Sequence, residues 1–163
     1  WRYDGKLIGL SGRLLPVAIR KAAERGDFAS KYHNYAGLDK TRYLFGEDKL
    51  KQGEPLIICE GQIDAIITWQ HLDIPAVGIL GEGFSETHAK TIAAFTPSVV
   101  YIFPDNDAAG RLAAEKIEYV LHGRVSMKLM LPPEGLDPGD LSKEEAQAIL
   151  EAALPIMGRI KWK

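Results

Sequence analysis

Two stretches decide the fold: Pro55-Leu56-Ile57-Ile58-Cys59-Glu60-Gly61-Gln62-Ile63-Asp64, and Ser98-Val99-Val100-Tyr101-Ile102-Phe103-Pro104-Asp105-Asn106-Asp107-Ala108-Ala109-Gly110. Each is a short apolar run that ends on acidic residues and then passes into helix-period sequence. Leu56–Cys59 is too short for a helix and reads as a buried strand. Ser98–Phe103 reads the same way and is stopped by Pro104, which has no amide proton for a sheet ladder.

Working outward, Ile63–Leu72 predicts a helix that is apolar on more than one side. Ala76–Leu80 predicts a strand and Ser85–Phe95 a helix. Ser85 can cap that helix, but Ser85-x-x-His88 lacks the Glu of a full capping box. Ala108–His122 predicts a helix with an apolar stripe through Ala109, Leu112, Ala113, Ile117, Val120 and Leu121. Val125–Leu131 predicts a fourth strand, Pro132–Gly135 a loop, and Ser142–Leu154 a helix with Ser142 and Glu145 as its capping box. Strands alternating with helices of this length imply right-handed βαβ crossovers. The expected fold is therefore α/β, with a parallel sheet of about four strands flanked by helices.

The first 50 residues are less regular. Gly5–Leu15 predicts a strand or hairpin, and Pro16–Arg25 a helix with Pro in its first turn, closed by Gly26. Lys31–Leu50 mixes aromatic and charged residues without a period. The expected organisation is a small β-containing segment over 1–54 that leads into a catalytic domain over 55–154, followed by a tail over 155–163.

Composition narrows the function. With 46% hydrophobic and 26% charged residues, the 163-residue chain can bury a core. No apolar run approaches the roughly 18 residues that span a bilayer, and no signal peptide is visible, so a cytoplasmic protein is expected. The single Cys59 rules out a disulfide framework or a self-contained zinc ribbon and reads as a buried, inert thiol. The chain opens on Trp1 rather than Met, which suggests a domain of something longer. Residues 1–51 hold 11 Lys and Arg against 6 Asp and Glu, whereas 52–163 hold 9 against 16. A basic arm on an acidic body suits a protein that grips phosphates with one part and cations with the other.

In open parallel sheets ligands bind at the carboxyl ends of the strands. Acidic residues gather there: Glu60 and Asp64 after the first strand, Glu82 within Gly81-x-Gly83 after the second, Asp105 and Asp107 after the third, Asp137 and Asp140 past the fourth. Taken singly, an Asp-x-Asp before a helix is an ordinary capped turn, and Asp137-Pro138-Gly139-Asp140 an ordinary tight one. Their joint placement is what points to chemistry. Crowded carboxylates repel unless a cation neutralises them, and an all-oxygen set without nearby His or Cys selects Mg²⁺ or Mn²⁺ over zinc. The four histidines form no ligand spacing, His71 and His122 reading as helix-end residues. No Gly-x-x-x-x-Gly-Lys loop is present, which argues against a P-loop nucleotide site.

Glu60-Gly61-x-x-Asp64 followed by Asp105-x-Asp107-x-x-Gly110 resembles the TOPRIM fold shared by bacterial-type primases, type IA and type II topoisomerases and some nucleases. The Gly81-x-Gly83 turn resembles the phage primase–helicase version. Asp4–Arg13 is similar to the strand pair leading into a primase TOPRIM domain. Lys31-Tyr32-x-Asn34 resembles the primase Lys-Tyr-Leu-Asn motif, and Leu136-Asp137-Pro138 its late Asp-Pro motif. His33 and Glu82 depart from the usual residues, and no Tyr falls in a recognisable strand-cleaving context.

The resemblance implies synthesis of RNA primers on single-stranded DNA from ribonucleoside triphosphates. Glu60, Asp105 and Asp107 would be the catalytic carboxylates, and the metal set would add Asp64, Asp137 and Asp140. Lys31, Asn34 and Arg13 would contact nucleotide or template. A replicative helicase would be a partner through regions outside this chain. The alternatives are a metal-dependent nuclease built on the same carboxylates, or a metal- and nucleotide-binding piece that is inactive alone.

Overall fold

The computed structural model describes residues 2–3, 5–30, 32–35, 37–81 and 83–162. Asp4, Lys31 and Glu82, which the sequence reading used, lie outside that set. The chain folds as two compact units, Trp1–Asp39 and Lys40–Lys163.

In the first unit, β1 (Arg2–Tyr3) and β2 (Lys6–Leu7) form an antiparallel hairpin. Gly5 takes a φ of 71°, which a side chain would resist. The sequence suggested one strand or hairpin over Gly5–Leu15, but the hairpin is finished by Leu7. A separate strand, β3 (Ser11–Arg13), pairs antiparallel with β4 (Tyr32–Asn34) across the intervening helix α1 (Pro16–Glu24). Such a non-local pairing leaves no turn signature at either strand. Helix α1 starts on Pro as expected, and none of its side chains is buried.

The second unit carries a five-stranded sheet. Its elements are β5 (Leu56–Cys59), α2 (Gln62–Leu72), β6 (Ala76–Gly78), α3 (Glu86–Ala94), β7 (Val100–Ile102), α4 (Ala108–Leu121), β8 (Met127–Leu129), α5 (Lys143–Glu151) and β9 (Leu154–Pro155). The strand order is β6-β5-β7-β8-β9. The first four strands are parallel, and β9 returns antiparallel to β8.

Alternation along β5 decides which helix covers which face. Leu56 and Ile58 pack with Ala89 and Ile92 of α3 and with Ala114, Ile117 and Leu121 of α4. Ile57 and Cys59 point the other way, toward Ala65 and Leu72 of α2 and Ala146 of α5. Each large side chain so buried stabilises the fold by about 1.5–3 kcal/mol before entropy is counted.

The expected α/β sheet is present, with three corrections. The helix read as Ser142–Leu154 stops at Glu151, because Leu154 precedes Pro155 and is driven into extended backbone. Those two residues become the fifth strand. The strands read over 76–80, 98–103 and 125–131 are shorter, at Ala76–Gly78, Val100–Ile102 and Met127–Leu129; beyond β6, Leu80 has a φ of 52°. Helix α3, read as lacking a full capping box, has one: Ser85 Oγ accepts from the His88 amide at 3.1 Å, and His88 Nδ1 accepts from the Ser85 amide at 3.2 Å. The imidazole does the work usually given to Glu.

Of the two outer strands, β6 is bordered by Phe45, which bridges Gly78 through bonds of 3.0 and 3.1 Å, and β9 forms the opposite margin. Among the described residues no helix is long and apolar enough to cross a membrane.

Candidate functional site

The connection from β5 leads through α2 to β6 on one side, and α3 then carries the chain back past β5 to β7 on the other. The helices leaving β5 and β7 therefore cover opposite faces of the sheet, which opens a crevice between the carboxyl ends of these adjacent strands. Glu60 follows β5 and Asp105 follows β7, so the topology places both at this crevice.

Glu60 is half-buried, and its Oε1 accepts from the Asp105 amide at 3.2 Å, tying the two strand ends together. Asp107 caps α4 as its spacing suggested, its Oδ1 accepting from the Gly110 amide at 2.7 Å. Asp105 is different. Its Oδ1 is buried without a hydrogen-bond partner, and burial followed by the charges of Glu60, Asp137, Asp64 and Asp107 pushes its pKa up to about 7. Burial also raises Glu60, partly offset by the Asp105 amide, with Asp107, Asp64 and Asp137 adding repulsion. The carboxylates of Glu60, Asp64, Asp105, Asp107 and Asp137 thus share one electrostatic neighbourhood, drawn from three strand ends.

Glycines give these side chains their room. A Cβ on Gly110 would collide with the Asp105 carbonyl and lie 2.6 Å from Glu60 Oε1. Asp64 is enclosed likewise: a Cβ on Gly61 would strike its Oδ2, and one on Gly139 would come within 2.6 Å of its Oδ1. Gly61 and Gly110 belong to the motifs read from sequence. Gly139 read only as a turn residue, and its packing against a carboxylate on another element left no local signal.

Asp140 stands apart from this set. It is exposed, and its Oδ2 accepts from the Asp137 amide at 3.3 Å, shaping the turn that presents Asp137. In the first unit, Asn34 Oδ1 accepts from Ser11 Oγ at 2.5 Å across the β3–β4 pair, and the Arg13 guanidinium lies 5.6 Å from the Tyr32 ring centroid. Lys31 lies outside the described residues. Gly81 and Gly83 both take positive φ, 72° and 80°, so the turn after β6 is a glycine turn, with Glu82 outside the described residues. Cys59 is buried and its thiol is pushed up by burial, in keeping with an inert core residue. His71 and His122 fall at helix ends as expected, His122 with its ring 3.1 Å from Glu118.

Among the described residues, no three His, Cys, Asp or Glu side chains converge closely enough to enclose a metal ion. The donor chemistry nonetheless fits a hard cation: oxygen-only groups, one of them an orphaned buried carboxylate oxygen with an elevated pKa. Asn106, between the two aspartates, is only 7% exposed and was not singled out from sequence.

A family profile described as Toprim-like matches residues 57–142. The DNA primase of Escherichia coli (strain K12) is 31% identical over 168 residues, an alignment that takes in 93% of this chain and 27% of the relative. The chain thus spans about a quarter of the length of the curated relatives it matches. Among solved structures, the zinc-binding and RNA polymerase domains of the Aquifex aeolicus primase superpose with a TM-score of 0.74 at 25% identity, covering 93% of this chain and 38% of that one. A DnaG primase catalytic domain bound to single-stranded DNA superposes with a TM-score of 0.68 at 27% identity, covering 93% and 49%.

Proposed function

The chain belongs to the Toprim-like family, and from that premise we propose that it is the catalytic domain of a DNA primase, a nucleotidyltransferase that makes RNA primers on single-stranded DNA. The observation that carries this reading is the acidic crevice at the β5–β7 strand ends, where Asp105 keeps a buried, unpartnered oxygen among like charges.

Glu60, Asp105 and Asp107 would hold a divalent cation, Mg²⁺ or Mn²⁺, with Asp64 and Asp137 completing its surroundings and Asp140 supporting them through the Asp137 turn. When bound, the cation supplies neutralisation of the charge that develops on the phosphates during transfer. The chain's own residues prepare the place. Glu60 fixes the Asp105 backbone, and Asp107 holds the start of α4, where the helix dipole favours an anion. Glu60 would serve either as a further ligand of the cation or as the base that relieves the attacking 3′-hydroxyl of its proton. Lys31 and Arg13 would contact triphosphate or template phosphates, and Asn34 the incoming ribonucleotide. A replicative helicase would engage through regions outside this chain, placing the protein at the replication fork in the cytoplasm.

Calorimetric titration with Mn²⁺ tests the cation site: the wild-type chain should bind and Asp105→Asn should not. Primer synthesis on single-stranded DNA, with the remaining primase domains supplied in trans, then tests the activity. Nicking of plasmid by the chain with Mn²⁺, without primer synthesis, would replace the primase reading with a nuclease one.

A further inference from the structure

Asn106 carries no charge of its own and is the most enclosed residue of Asp105-Asn106-Asp107, at 7% exposure. Each of its polar atoms is engaged. Its amide donates to the Leu136 carbonyl at 3.2 Å, and its own carbonyl accepts from the Gly135 amide at 3.1 Å. Its Nδ2 donates to the Pro132 carbonyl at 2.7 Å, and its Oδ1 accepts from the Arg111 guanidinium at 3.2 Å. Apart from Arg111, every partner lies in residues 132–136, the loop that runs directly into Asp137. Arg111 leaves the helix that Asp107 caps, and its guanidinium is braced 5.5 Å from the Trp162 ring centroid.

A buried Asn that satisfies a loop carbonyl is an ordinary stabilising device. The arrangement here does something narrower. One residue, flanked by two acidic side chains, is stitched by backbone and side chain to the segment carrying a third. The separation between the β7 strand end and Asp137 is thereby set by Asn106 rather than left to loop flexibility. We propose that Asn106 is a positioning residue that holds Asp137 in register with Asp105 and Asp107, so that carboxylates from two loops address the same cation. This rests on the cation-binding reading of the crevice.

The test is a double-mutant cycle read by Mn²⁺ calorimetry on the intact chain, at a temperature where circular dichroism shows each variant folded. Asn106→Ala should weaken Mn²⁺ binding by about tenfold, the lower end for residues that orient ligands. Asp137→Asn should weaken it comparably, and the double variant should be no weaker than either single one, because Asp137 is already released. Multiplicative losses, or wild-type affinity in Asn106→Ala, would overturn the proposal. Should Asn106→Ala fail to fold, Arg111→Met takes its place: it deletes the bond to Oδ1, should weaken binding about threefold, and should show the same dependence on Asp137. Asp105→Asn separates the two levels. If it binds Mn²⁺ like the wild type, or if the wild type does not bind, the cation reading fails and this proposal with it; if it alone loses binding while the cycle is multiplicative, only the role of Asn106 falls.

Discussion

Helix α1 of the first unit and strand β5 of the second are both rich in aliphatic residues, yet none of the α1 side chains is buried and every β5 side chain is. The first unit consists of short antiparallel pairs and a helix without a buried face of its own. The second has two packed faces, and the acidic crevice sits on top of it. The difference teaches where the energy for holding repelling carboxylates comes from. A site with a buried, unpartnered carboxylate oxygen needs a scaffold stable enough to hold it, and only the second unit has that depth of packing.

The sharpest way to break the contrast is to make one chemical change in both units. Ile102→Ala removes a fully buried side chain from β7 and should cost about 3–4 kcal/mol in urea denaturation. Leu15→Ala, at a residue 69% exposed, should move stability by less than about 0.5 kcal/mol. Equal losses would show that the first unit contributes to the same core.

Glycines give the next largest effect. Gly110→Ala forces a Cβ onto the Asp105 carbonyl and should cost about 2–3 kcal/mol and abolish Mn²⁺ binding. Gly26→Ala in the first unit meets open space and suffers only from its φ of 76°, about 1 kcal/mol, without effect on the metal.

Asp105→Asn should stabilise the metal-free protein. Between the ordinary aspartate pKa of 3.8 and the folded value of about 7, the native state retains a proton that the unfolded chain has released. Stability therefore falls as pH rises through that window, and the penalty is complete above it. The variant should gain about 1–2 kcal/mol at pH 8 and nothing at pH 3.5, as thermal melts at the two pH values would show. Saturating Mn²⁺ should reverse the order at pH 8, since only the wild type gains from binding. A melt in which the variant is less stable without metal would show that Asp105 has a partner holding it ionised.

The smallest effect concerns helix starts. Ser142 Oγ accepts from the Glu145 amide at 3.3 Å, so Ser142→Ala should cost about 1 kcal/mol. The corresponding position before α1, Leu15, makes no side-chain cap, so its replacement by Ala changes nothing at that end.

These contrasts also explain what could be read in advance. Most elements of the second unit were legible because each buries an apolar run or stripe bounded by Pro, Gly or a capping residue; in α4 the buried face holds Ala114, Ile117 and Leu121, whereas Ala109 and Leu112 of the stripe read from sequence are exposed. β9 was not legible, because Ile149, Leu150, Ala153 and Leu154 continue a helical period and only Pro155 argues against it. The β3–β4 pair was hidden because its partners meet across a helix. In the site, Glu60, Asp105 and Asp107 were visible as carboxylates at strand ends. Asn106 was not, because its partners are mostly main-chain groups of a later loop, and a backbone carbonyl has no letter in the sequence. His88 was missed for a related reason: the capping rule expects a carboxylate or amide, and an imidazole nitrogen can accept the same bond.

The bordering of the sheet has a consequence for behaviour in concentrated solution. β9 ends on Pro155, which has no amide proton to offer, and the opposite margin is occupied at Gly78 by Phe45. A second molecule that approaches either margin finds little free main chain with which to extend the ladder. Association of native molecules by strand addition is thereby discouraged, and aggregation on heating should follow the cooperative loss of the second unit rather than precede it.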